Sequence, residues 1–287
     1  MTEVDKFFMT DKEASRISTL CTAVVKEHMA WIEEHDEPVN GSAMQTDNDE
    51  FTIMSMTELT VSPIKSALDC LYVACSSMRD LGTVRGVGHP ALVRSSLTGS
   101  TVSLWILDDD ERTRRTRALV MAHGQCKAER EFCQNLPSTW FVPNERPPLG
   151  DHYVNLTRRM EGVLADGERQ GIDKSEVIKK PKDSKIVRDA ADRIPSGFLN
   201  AEPGAHVLSE WRLLSGRAHG FHWPVRYAVE GRFDAETQRL IYPAKIPVGR
   251  FLGSIRIAMV TARVAMDRFA FFAGIDPPDL RKPWELA

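Results

Sequence analysis

The chain has 287 residues, of which 42% are hydrophobic and 27% charged, and its formal net charge is −3. This composition excludes wholesale disorder, a collagen-like repeat and a low-complexity chain, and the near-balanced charge does not by itself mark a nucleic-acid binder. Charge is uneven along the chain: residues 1–50 hold 4 Lys+Arg and 12 Asp+Glu, a net of −8, which leaves +5 for the remainder.

Five cysteines (Cys21, Cys70, Cys75, Cys126, Cys133) with no C-x-x-C spacing argue against a disulfide framework and against a zinc knuckle, and predict free thiols in a reducing, cytoplasmic setting. The start, MTEVDKFFMTDKEASR, lacks an apolar run behind a basic head, so no signal peptide is expected. The most apolar stretch, residues 251–275, is interrupted by Arg256, Arg263, Asp267 and Arg268. It is read as a buried core helix, with no membrane partner.

The first predicted helix opens on Thr10-x-x-Glu13, a capping-box pattern, and carries Ala14, Ile17, Cys21, Val24, His28 and Trp31 at steps of three and four. His28, on this apolar stripe, is expected to be a core histidine with one hydrogen bond. Residues 36–50 are polar and turn-rich and predict a loop. Ser62-Pro63 reads as a cap with proline at the first helical position, followed by the stripe Ile64, Leu68, Leu71, Cys75, Met78 and a stop at Gly82. A helix over His89–Leu107 is rich in small residues, among them Ser96, Gly99, Ser100 and Ser103, which favour close approach of a neighbouring backbone. Asp108-x-x-Glu111 opens the next helix, with Leu119, Ala122, Cys126 and Cys133 inward. Its arginines 112, 114, 115 and 117 could touch phosphate or, spread around the helix, form a solvated face with local acid pairs.

Residues 137–150 contain four prolines and form the best boundary candidate. The chain is therefore predicted to be one large helical domain, 1–287, divisible into halves 1–136 and 150–287 joined by a Pro-rich connection at 137–149. A helix over 151–167 places Tyr153, Leu156, Met160 and Val163 inward. The segment GIDKSEVIKKPKDSK superficially resembles a helix-turn-helix. Pro181 would stop its second helix after roughly six residues, too short to follow a major groove, so sequence-specific DNA binding is rejected and only a small basic patch at Lys179, Lys180, Lys182 and Lys185 is kept. A helix over 205–219 follows. Residues 225–242 then alternate apolar and polar positions around a DAET turn and predict a β-hairpin. A long apolar helix over 248–273 closes the chain. The fold class is thus mainly α: a bundle of six to eight helices with one inserted β-hairpin.

One constellation carries chemistry. Across Ser209–Gly220 and its flanks, Val207, Trp211, Leu214, Ala218 and Phe221 are spaced as a core stripe, and Arg212, Ser215 and His219 each follow a core position by one residue. One residue is about 100° of helix rotation, so those three form a second column at the edge of the buried face. Arginine and histidine are the pair that RNA phosphodiester cleavage needs. Histidine moves a proton near neutrality, and the arginine fork grips phosphate oxygens. The same chain shows no H-E-x-x-H, P-loop or G-x-S-x-G, so no metal or other cofactor is called for. The other reading of these residues is structural: Arg212 would pair with a carboxylate of a neighbouring helix, and His219-Gly220 would simply end one. A metal site from His219, His222 and His152 is disfavoured by spacing.

An arginine, six intervening residues and a histidine near the end of a helix, within an all-helical bundle, is similar to the HEPN superfamily. The block WRLLSGRAHG, with Trp105-Ile106-Leu107 ahead of Asp108 and Arg112, also resembles a group of actinobacterial helical proteins carrying an L-S-x-x-A-H-G segment. The position after the arginine, usually polar in catalytic HEPN members, is Leu213 here. The resemblance implies a metal-independent endoribonuclease or RNA-binding protein of toxin or antiviral-defence type. It also implies a homodimer that brings two motifs together, with Arg212 and His219 central and Ser215 assisting. The alternative is a non-catalytic module whose Trp105, Trp140, Phe141, Trp211 and Trp223 line a cleft for a peptide, protein or small molecule.

Overall fold

The computed structural model describes residues 11–135, 149–199, 202–227, 232–236, 238–241 and 248–279. The fold is mainly α. In chain order the helices are α1 (Asp11–Glu34), α2 (Ala43–Asp49), α3 (Met56–Leu81), α4 (Gly88–Ile106), α5 (Glu111–Gln134), α6 (Leu149–Arg169), α7 (Lys174–Ile178), α8 (Asp183–Ala191), α9 (Pro203–Ala218) and α10 (Val248–Ala273). Ten helices among the described residues exceed the six to eight expected. The additional ones are short and polar, and tertiary pairing holds them where propensity would not.

The scaffold is the antiparallel pair α3 and α4, with α1 against α3, α10 against both, and α8 and α9 against α4. The small residues of α4 make this possible. A methyl added at Gly99 would lie 2.5 Å from the Pro63 carbonyl oxygen, and Ser103 Oγ donates to Thr60 O at 2.6 Å. One hydrophobic cluster extends through α1, α3, α4, α5, α8, α9 and α10, from Cys21 to Ala273. No helix of the described residues is long and apolar enough to cross a membrane.

Three expected elements differ. Residues 36–50 are not all loop: Ser42 Oγ accepts from Gln45 N–H and starts α2, whose buried Asp47 accepts from Arg114 Nε at 2.6 Å and Arg115 Nε at 2.7 Å. Pro63 is not at a helix start but inside α3, which is capped earlier by Ser55 accepting from Glu58 N–H; Gly82 ends α3 in the left-handed conformation, φ 61°, as its position suggested. The hairpin expected over 225–242 does not have that extent. Trp223–Tyr227 forms a 3₁₀ turn, and pairing among the described residues is confined to β1 (Arg232–Asp234) against β2 (Arg239–Ile241). The Pro-rich connection at 137–149 falls almost wholly outside the described residues.

The four arginines of α5 follow the second of their two readings in part. None stands free for phosphate: Arg112 stays on the solvated face and Arg115 makes a local acid pair, while Arg114 turns wholly inward. Arg114 is buried on Asp47 and stacks over Phe272, with Cζ 4.5 Å from the ring centre. Arg115 spans Asp47 and Glu111, and Arg112 makes a two-point pair with Glu176. Arg117 donates to Asp108 and to the Trp105 carbonyl. Arg193 also pairs with Asp108 and donates to Leu107 O, so the whole corner between α4 and α5 is knitted by guanidiniums.

Candidate functional site

Helix α9 begins with Pro203 in its first turn, where a missing N–H has no cost. It packs on α4 and α8. Its inward face is not centred where the apolar spacing places it. The buried positions include Val207, Glu210, Leu214 and Arg217. Trp211 lies at the rim: its Nε1–H donates to Thr98 Oγ1 at 2.9 Å, and the Arg94 guanidinium covers its ring at 4.9 Å. Phe221, expected in the core, is 55% exposed.

Polar groups share the buried face of α9. Glu210 accepts from Ser254 Oγ of α10 at 2.5 Å and faces Arg250 Nη2 at 3.5 Å. A carboxylate so held can occupy the centre of a helix–helix contact. Turning α9 inward at Glu210 turns the 212/219 column outward.

Arg212 and His219 are accordingly both exposed, and Ser215 is half-buried. They do not sit at the edge of the core as the sequence suggests. Seven residues is nearly two full turns, so Arg212 and His219 lie on one side of α9, about 10.5 Å apart along its axis. Neither side chain makes a hydrogen bond or ion pair among the described residues, and the carboxylate partner foreseen for Arg212 in the structural reading is not there. The other half of that reading holds. His219 caps α9, and Gly220 follows at φ 72°, with Gly220 N–H donating to Arg217 O at 2.9 Å and Phe221 N–H to Gly216 O at 2.8 Å. These two bonds are the Schellman closure. They fix the backbone that carries the imidazole without engaging the ring, whose neighbour is Phe221 with centroids 5.9 Å apart.

The chain then folds back on α9. Gly216 permits this: a methyl there would lie 2.6 Å from Trp223 and 2.7 Å from Pro224. The result is a set of exposed rings beside the histidine: Phe221, Trp223 at 42% and Tyr227 at 72% exposure, with Trp223 and Tyr227 edge to face at 6.1 Å. His222 and Arg226 are exposed among them. The spacing argument missed these residues. The signal that finds them is the absence of any Asp or Glu between Glu210 and Glu230, a stretch that contains Arg212, Arg217, His219, His222 and Arg226.

The other candidate sets are dispersed. Trp105 is buried beneath Arg117, while Trp140 and Phe141 lie outside the described residues, so the described aromatics named for a common cleft have separate environments. Among the described residues no three His, Cys, Asp or Glu side chains are grouped to hold a metal ion, and His152 pairs with Glu129. Lys180 and Lys185 are paired with Asp183 and Asp189.

The remaining histidines show what a structural imidazole looks like in this molecule. His89 accepts from Arg85 N–H at Nδ1 (2.8 Å), which leaves Nε2–H to donate to Ser77 Oγ (2.7 Å). His28 bonds Val24 O through Nδ1 at 2.6 Å, its Nε2 has no partner among the described residues, and burial pulls its pKa down to about 4. His219 has neither the burial nor the bonds. Comparisons of the chain with protein-family models, with curated proteins and with solved structures found no match.

Proposed function

We propose that the outer side of α9 and the turn after it form a surface that binds and cleaves RNA, with Arg212, Ser215 and His219 as its reacting column. The observation that carries this reading is that Arg212 and His219 face solvent on one side of one helix with no partner among the described residues, in a protein that pairs its α5 arginines almost completely. The reading has support from chemistry as well. The stretch from Trp211 to Val229 has no carboxylate to repel a phosphodiester, and exposed Phe221, Trp223 and Tyr227 offer flat apolar faces on which unstacked bases can rest.

In the proposed reaction the substrate 2′-hydroxyl gives its proton to the neutral His219 ring, and the 2′-oxygen bonds to phosphorus. The bond from phosphorus to the 5′-oxygen breaks, and water protonates the departing alkoxide. The products are a 2′,3′-cyclic phosphate and a free 5′-hydroxyl. Arg212 binds the non-bridging oxygens as charge builds on them, and the Ser215 hydroxyl donates a further hydrogen bond. A homodimer with two α9 ends facing each other, of toxin or defence type, is the assembly that the resemblance to HEPN proteins suggests.

The test is incubation of the purified chain with single-stranded and structured RNA in EDTA. Wild type is expected to give cyclic-phosphate ends, and His219→Ala and Arg212→Ala to lose them. Equal behaviour of wild type and His219→Ala removes the catalytic claim. Sedimentation of the same preparations tests the dimer.

A further inference from the structure

We propose that a recess between α9 and the first two turns of α10, on the face of α9 away from Arg212 and His219, is a binding site for one halide-sized anion, chloride being the physiological one.

The recess has room for about one water-sized body, some 10 Å³. Leu213, Leu214 and Phe251 form its apolar walls, and Glu210, Arg217, Arg250 and Ser254 its polar ones. Arg217 is the anomaly. It is only 7% exposed, lines the recess, and makes no hydrogen bond or ion pair among the described residues. A buried guanidinium without a partner is costly, and the usual solutions are a carboxylate or a bound anion. The nearest carboxylate is already committed: Glu210 Oε1 takes the Ser254 hydroxyl at 2.5 Å, and Oε2 faces Arg250 at 3.5 Å. One carboxylate against two guanidiniums leaves one positive charge. Arg250, Phe251 and Ser254 also stand in the opening turns of the 26-residue α10, whose N-terminal end is the positive end of its dipole.

Size and charge select the ligand class. A water fills the space but leaves the charge uncompensated. A tetrahedral oxyanion exceeds the space and would bring its second charge against Glu210. The recess is open to solvent on one side, so a monovalent, roughly spherical anion seated at its mouth offsets the charge without bringing a second one against Glu210. The site does not rest on the RNA reading. It would be felt there all the same, because Arg217 precedes His219 by two residues and its carbonyl accepts from Gly220 N–H in the cap.

The test uses the intact chain. Crystals soaked in sodium bromide are expected to show an anomalous peak within hydrogen-bonding reach of the Arg217 guanidinium; absence of a peak in the recess overturns the proposal. In solution, the thermal midpoint is expected to be higher in sodium chloride than in sodium gluconate of equal ionic strength, with that difference lost in Arg217→Gln. An equal rise in Arg217→Gln, or an equal rise with sulfate in wild type, overturns it. Should Arg217→Gln fail to fold, Glu210→Gln serves: with the carboxylate charge gone, half-saturation is expected at lower chloride, and an unchanged or higher value counts against the site.

Discussion

Two arginine-bearing regions of this molecule invert what their sequences suggest. The corner from Trp105 to Arg117 has four arginines in six residues, the density expected of a phosphate-gripping surface, yet each guanidinium is paired with a carboxylate of the same chain, Asp47, Asp108, Glu111 or Glu176. On α9, Arg212 and His219 are set among core-like residues, and both face solvent with no partner among the described residues. The difference lies in local acid supply. Around α5, Asp47, Asp108 and Glu111 are within reach; from Trp211 to Val229 there is no acid at all. Density of basic residues is therefore a weaker pointer to a ligand surface than the lack of acids that could neutralise them.

That comparison breaks most visibly at Asp47. It is 1% exposed and holds Arg114 and Arg115 together. Removing one partner of a buried pair strands the other, so Asp47→Ala is expected to cost about 3–5 kcal/mol in urea unfolding. A loss under about 1 kcal/mol would mean that the α5 arginines are not structural and would return them to the list of ligand contacts.

The next largest effect contrasts two histidines. His28 is held neutral in the folded state with a pKa of about 4, against an ordinary 6.5. The unfolded chain therefore binds the proton first. Stability is at its full value above pH 6.5 and falls as pH drops towards 4, by about 3 kcal/mol from this group. His28→Gln, which cannot titrate, should remove that part of the slope, and His219→Gln should leave it intact. An unchanged slope in His28→Gln would show that the ring is hydrated and charged.

The long helices were legible from their side chains: apolar residues recur at helical steps in α1, α3 and α6, and α10 is a long apolar run. The short ones were not. AMQTDND has a single large apolar residue, Met44, too little for a periodic signal, and α2 is held by the burial of Met44 and by Asp47 meeting two arginines 67 and 68 residues away. Pro63 misled because proline suits a first turn; the stronger signal, Ser55-x-x-Glu58, lay eight residues earlier. At the candidate site, periodicity identified the helix and the shared side of Arg212 and His219 but set the face wrongly. Apolar spacing assumes that carbon marks the centre of a contact, and here Glu210 and Arg217 take that place.

Packing predicts a smaller effect with opposite signs at two helical glycines. A methyl at Gly99 meets the Pro63 carbonyl at 2.5 Å, so Gly99→Ala should lose about 1–3 kcal/mol through separation of α3 and α4. At Gly124 the nearest atom is a flexible one, Lys180 Cδ at 3.7 Å, and Gly124→Ala should gain about 0.5–1 kcal/mol from helix propensity. Equal signs in the two variants would mean that the α3–α4 contact can part at Gly99 without cost.

The smallest expected effect on stability is the sharpest test of function. Arg212 and His219 hold nothing in place, so Arg212→Ala and His219→Ala should unfold within about 0.5 kcal/mol of wild type. Their effect on RNA cleavage should be large, about 10²–10⁴-fold for loss of a proton-transferring histidine. A residue that served the fold would move both measurements together; one that served only chemistry moves the second alone. If His219→Ala lowers stability by more than about 1 kcal/mol, the imidazole belongs to the helix cap through its interaction with the dipole, and the contrast with the α5 corner collapses.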